Sequence, residues 1–140
     1  MRIVLDTSVI VAGFRSRTGA SNKLLRQVAA GDFRPLVTTA LFLEYEDVLL
    51  RAEHRLVTGM SEADVQGALT ALASACEPVD VHFRWRPQLS DPGDELVLEA
   101  AVNGRAEKLV AHNVRDFAGV SKQFELAVVT PQQFLQEYPS

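Results

Sequence analysis

The chain has 140 residues, a net charge of −4, 47% apolar residues and one cysteine. That length suits a single domain spanning 1–140, and the apolar share excludes a disordered chain. The charge argues against an ordinary basic nucleic-acid binder, no apolar run approaches the roughly 18 residues of a membrane span, and a lone Cys76 cannot form an internal disulfide, which fits a reducing cytoplasm.

The opening MRIVLDTSV has an acid interrupting its apolar run and no small-residue cleavage site after it, so no signal peptide is expected. Arg2 to Leu5 reads as a short strand, β-branched at Ile3 and Val4, ending at Asp6. Thr7 or Ser8 can cap a helix to about Phe14. A polar break from Arg15 to Gly19 precedes a second helix from Ser21, with Leu24, Leu25 and Val28 on one face and Gly31-Asp32 as its stop. Pro35 to Thr38 reads as a second strand. Ala40 to Leu50 reads as a helix with Leu41, Tyr45, Val48 and Leu49 as its buried stripe. Glu53 to Thr58 is a connector of open form. Ser61 caps a helix to Ala75, with Asp64 in the place of the usual capping-box glutamate.

Val79 to Val81 reads as a third strand, and Phe83 to Ser90 as a loop containing Trp85 and Pro87. Asp91-Pro92-Gly93 opens a helix to about Asn103, with proline in the first turn where its missing N–H costs nothing. Lys108 to Ala111 and Ala127 to Thr130 read as strands, and Pro131 to Glu137 as a closing helix. Strands alternating with helices mean a parallel sheet with helices on both faces, and in such sheets the site lies outside the carboxyl ends of the strands.

That rule turns scattered acids into a candidate site. Asp6 ends the first strand, Glu44 lies one turn into the helix after the second, and Asp91 and Asp94 open the helix after the loop that follows the third. Asn113 and Asp116 follow the Lys108 strand. Singly, each acid also fits a cap or a solvated helix position. Jointly, they imply repelling carboxylates that a Mg2+ or Mn2+ ion would relieve, and oxygen-only ligands suit these hard cations. The three histidines, His54, His82 and His112, show no zinc spacing.

Four segments carry a resemblance: V-L-D-T-S-V-I at Val4–Ile10, T-T-x-L-F-x-E at Thr38–Glu44, D-P-G-D-E at Asp91–Glu95 and L-V-A-H-N-V-R-D-F at Leu109–Phe117. Together they resemble the PIN domain, in its branch of VapC-like toxins of bacterial toxin–antitoxin systems. The resemblance implies a three-layer α/β/α sandwich with a five-stranded parallel sheet, and Mg2+- or Mn2+-dependent ribonuclease activity. It assigns Asp6, Glu44 and Asp94 as the first three acids, with Asp91 as a neighbour. Thr7 and Ser8 match small hydroxyl positions beside them. At the fourth position the family often has T-G-D; here Ala111-His112-Asn113 stands there, so Asn113 offers a neutral oxygen and Asp116 is the nearest substitute for the charge. The resemblance also implies a homodimer and a small inhibitory antitoxin able to place an Arg among the acids.

Residues 1–34 hold six Lys/Arg against two acids, whereas residues 35–100 hold four against twelve. Arg15, Arg17, Lys23 and Arg26, with Arg115, are therefore the candidates for RNA contact, against the plainer reading of a solvated helix face for Lys23 and Arg26. Two other functions fit parts of the pattern. An aspartyl phosphatase or phosphotransferase would use Asp6 as nucleophile but usually carries a second Asp two residues on, where Ser8 stands. A non-catalytic PIN-like module binding RNA or protein would tolerate Asn113.

Overall fold

The computed structural model describes residues 1–83 and 89–138. The central part of the expected 83–90 loop, with Trp85 and Pro87, lies outside the described residues. Among the described residues five short strands form, all in parallel pairs: β1 (Ile3–Leu5), β2 (Leu36–Val37), β3 (Glu77–Pro78), β4 (Lys108–Val110) and β5 (Ala127–Val129). β1, β4 and β5 make one three-stranded ladder in that order, with Leu5 opposite Val110 and Val110 opposite Val129.

The five-stranded sheet expected from the resemblance is corrected at this point. Among the described residues the bonded sheets have three and two strands. β2 runs beside β1 but is not bonded to it. The reason lies in strand length. A parallel strand bonds to each side through alternate residues. The Pro35 and Val37 carbonyls accept from the Glu77 and Val79 N–H groups, at 2.8 and 2.9 Å, which leaves Leu36 alone to face β1.

The third strand also falls earlier than its β-branched residues suggest, at Glu77–Pro78 rather than Val79–Val81. Pairing with β2 outweighs propensity. The second strand is shorter than expected because Thr38 leaves it to cap the next helix.

Eight α-helices are described: α1 (Thr7–Arg15), α2 (Ala20–Ala29), α3 (Thr39–Leu50), α4 (Ala52–Thr58), α5 (Glu62–Ala75), α6 (Pro92–Asn103), α7 (Ala118–Ser121) and α8 (Pro131–Glu137). Ser61 and Asp64 form the expected reciprocal capping box on α5. Gly31, at φ 87°, follows the end of α2 in the left-handed conformation that glycine adopts without strain. The connector of open form is α4, closed by Gly59 at φ 74°. A 3-10 turn over Val114–Phe117 and α7 fill the stretch between β4 and β5, for which the sequence suggested no element.

Ile3, Val4 and Leu5 are all buried, so β1 is covered on both faces. α3 is pinned to the end of β1 by one polar contact inside this apolar core. The hydroxyl of Tyr45, itself fully buried, donates to the Leu5 carbonyl. Burial also holds that hydroxyl protonated, well above the usual tyrosine range. Tyr45→Phe leaves the Leu5 carbonyl without this donor and is expected to lower the unfolding free energy by about 1–3 kcal/mol. The denaturant midpoint measures it, with an unchanged slope showing that the fold is kept.

Candidate metal centre

Asp6 is placed by the sheet and oriented by a helix. Its N–H donates to the Val110 carbonyl at 2.8 Å, continuing the β1–β4 pairing. Its carboxylate caps α1, accepting from the Ser8 N–H at 3.2 Å and from the Ser8 hydroxyl. Asp6, rather than Thr7 or Ser8, is therefore the cap. Ser8 also accepts from the His112 N–H at 3.4 Å, so one hydroxyl ties the first acid to the chain leaving β4. His112 turns its Nε2 to the Ser21 hydroxyl at 2.8 Å, which fastens the start of α2 to the same edge.

Asp91 does cap α6, accepting from the Gly93 N–H at 2.7 Å. Asp94 lies in the first turn behind it. Glu44 reaches this turn from α3. A Cβ built on Gly93 would stand 3.1 Å from Glu44 Oε1 and 3.2 Å from Asp91 Oδ1. Both carboxylates thus lie against Gly93, in space that a side chain there would crowd. Asn113 and Asp116 follow β4 as expected, but the Asn113 side-chain amide donates to Asp116 Oδ1 at 3.0 Å. The neutral substitute is engaged by the acid that would compensate for it.

Electrostatics report the same convergence. Burial raises the Asp6 carboxyl above its ordinary range, against the Ser8 hydroxyl and the N–H groups of Ser8 and Thr7, and Asp116 adds to the rise. Asp94 is pushed up to about 7, first by burial and then by the charges of Asp6, Asp91, Asp116 and Glu95. Every charge that moves Asp94 is negative, so a cation placed among these acids would relieve the repulsion. The donors are carboxylates and one amide, the set a hard divalent ion takes. In charge and donor type the residues fit Mg2+ or Mn2+. Yet among the described residues no three His, Cys, Asp or Glu side chains are drawn together as a finished ligand set. The acids share an edge without closing on one point.

The cations divide. Arg15 lines a cleft with Thr7, Ser8 and His112, beside Asp6. Arg115 occupies the 3-10 turn next to Asp116, exposed. Arg17 is exposed in the break between α1 and α2. Lys23 and Arg26 instead line a hollow with Ala30 and Asp32, towards the far end of α2, and no described contact joins them to the acids. The plainer reading of a solvated face suits those two. The sequence left unnoticed the parts of Tyr45, Ser21, His112 and Gly93. Their side chains, or lack of one, act through folded contacts that no local spacing announces.

A parallel α/β domain with carboxylates gathered beyond its strand ends has them where such sheets carry their sites. A PIN-domain profile matches residues 2–115, and the chain belongs to the PIN-domain family. PIN domains are generally metal-dependent nucleases. The matched span contains Asp6, Glu44, Asp91, Asp94 and Asn113 and stops one residue short of Asp116. No curated protein matches the sequence.

The raised Asp94 carboxyl makes stability depend on pH. Unfolded, it releases its proton near 3.8; folded, near 7. Between these values the folded chain binds more protons, so stability falls as pH rises, and the loss is complete once pH passes about 7. In chelator, Asp94→Asn is expected to melt higher than wild type at pH 8 and to converge with it near pH 4. Adding Mn2+ at pH 8 should stabilise wild type more than the variant. Thermal melts at the two pH values check this.

Proposed function

We propose that the protein is a Mg2+- or Mn2+-dependent endoribonuclease in a three-layer PIN fold, acting as the toxin of a toxin–antitoxin pair. The observation that carries the nuclease part is the gathering of Asp6, Asp91, Asp94 and Asp116 beyond the strands of a parallel sheet, near enough for their charges to add to the burial that raises Asp94 to about 7. Repulsion of that kind is retained where a cation is meant to sit. Asp6, Glu44 and Asp94 would hold the ion, with Asp91 and Asp116 adding charge and Asn113 a neutral oxygen. Such a cation, when bound, supplies Lewis acidity towards a phosphodiester and a water of lowered pKa.

The chain's own residues do the rest by position. Ser8 holds the Asp6 carboxylate in place through its hydroxyl and N–H. Asp91 keeps its capping bond, so it adds charge without being free to swing. Asp94, half-buried among other acids, must give up its proton to take a cation, so ion binding there strengthens as pH rises. Ser21 meets the His112 imidazole at 2.8 Å, but it is buried and so is not presented to a substrate as a nucleophile. Asp6 is engaged by Ser8 where a phosphotransferase would carry a second Asp, so the aspartyl-phosphate alternative loses ground.

The toxin assignment rests on the four sequence segments. Homodimerisation and an antitoxin that neutralises the acids with a basic side chain are parts of the same proposal. One observation favours a second reading, a non-catalytic PIN module: the acids of the described residues do not close into a ligand set.

The purified protein is expected to cleave single-stranded RNA with Mn2+ or Mg2+ and not in chelator. Asp6→Asn and Asp94→Asn should each lower the rate by roughly 100-fold or more, with the fold kept by circular dichroism. Full activity in both variants sinks the nuclease reading. Calorimetry showing no Mn2+ binding below millimolar, with or without RNA, favours the module. For the toxin part, induced expression in a bacterial host should arrest growth, and Asp94→Asn should relieve it.

A further inference from the structure

A cleft opens beside the acids along α1 towards Arg15. Thr7, Ser8 and Arg15 line it from α1, Val48 from α3, His54 from α4 and His112 from the end of β4. The chain has 18 acidic residues, yet none of them lines this cleft among the described residues. Arg15 is exposed and has no carboxylate partner among the described residues. Two other residues of its wall carry polar atoms that are buried and unpaired among the described residues: Thr7 Oγ1 and His54 Nδ1. A cleft lined by a free guanidinium, two hydroxyls and two imidazoles, and by no carboxylate among the described residues, suits an anionic group. His54 meets Glu53 through its other nitrogen, at 3.9 Å.

The cleft and the acid cluster share Ser8, whose hydroxyl bonds the Asp6 carboxylate. An RNA strand bound at the acids carries a phosphate on either side of the scissile one. The acids repel those neighbours, so the strand needs an acid-free exit lined by donors. We propose that this cleft is the subsite for a phosphate flanking the scissile bond, with Arg15 as its charged anchor and Thr7 and His54 lining it beside that anchor. A guanidinium grips a phosphate through two parallel N–H bonds. His112 acts here as a positioning residue. Its bond to Ser21 and its N–H to Ser8 hold the wall between cleft and acids.

The inference rests on the ribonuclease reading for its substrate but is tested apart from it. A fluorescein-labelled single-stranded RNA is titrated by anisotropy against the full chain carrying Asp94→Asn, in Mg2+, over a range of salt. Adding Arg15→Ala is expected to weaken binding about tenfold and to reduce the slope of log affinity against log salt by about 0.7, one phosphate contact on a single strand. Adding His54→Gln is expected to weaken it roughly threefold, because the amide does not reproduce the imidazole's place in the wall. Lys122→Ala, an exposed cation outside the cleft, is expected to change neither quantity.

Unchanged affinity and slope in Arg15→Ala, or equal losses in Arg15→Ala and Lys122→Ala, overturn the subsite. So does a complete absence of RNA binding. In Mn2+-supported cleavage, Arg15→Ala on the otherwise native chain should act on KM several-fold more than on kcat. A native chain that binds RNA with the expected Arg15 dependence but cleaves none refutes the nuclease and leaves the subsite standing.

Discussion

Asp6 belongs to two elements at once. Its N–H still pairs with β4 at 2.8 Å, while its carboxylate already caps α1. That double duty sets the position of almost everything else in the site. The sheet delivers Asp6 and the Ala111–Asn113 stretch to the same edge because β1 and β4 run parallel in register. The cap turns the carboxylate back over the helix start, where Ser8 secures it. An antiparallel β1–β4 pair would send one of these segments to the opposite edge, and the acids would never meet.

Around that fixed point the other acids are held by different means. Glu44 depends on α3, which Tyr45 ties to the Leu5 carbonyl one residue before Asp6. Adjacent residues of one helix thus serve the core and the site. Asp91 and Asp94 depend on the first turn of α6, where Gly93 leaves the space that Glu44 occupies. The helix N-terminus favours their charge, which offsets part of the repulsion that burial and neighbours impose on Asp94. A cation would remove most of the remainder.

Much of this was legible in the chain. Ile3–Leu5 followed by Asp6, Pro92 in a first turn, and the Ser61–Asp64 box all announce their structures through local chemistry. The convergence of Asp6, Asp91, Asp94 and Asp116 could be inferred from parallel topology alone, and the shared rise in the Asp94 carboxyl agrees with it. What stayed hidden depends on contacts between distant segments. The register of Glu77–Pro78 is chosen by β2, not by its own residues. The Asn113–Asp116 bond forms only once the 3-10 turn exists. His112 resembles any surface histidine until Ser21 is brought against it from 91 positions away.

The division of the strands into three and two has a consequence for how the molecule moves. No backbone ladder crosses from β1 to β2 among the described residues, so the strand that leads into the Glu44 helix is joined to the strand carrying Asp6 by side-chain packing and the Tyr45 hydroxyl. Packed surfaces can slide by fractions of an ångström where a ladder would resist, as in shear motions. The Glu44 helix is therefore held against the Asp6 strand by packing in one shared core and by one hydroxyl, so the spacing of their carboxylates answers to side-chain contacts and not to a backbone ladder.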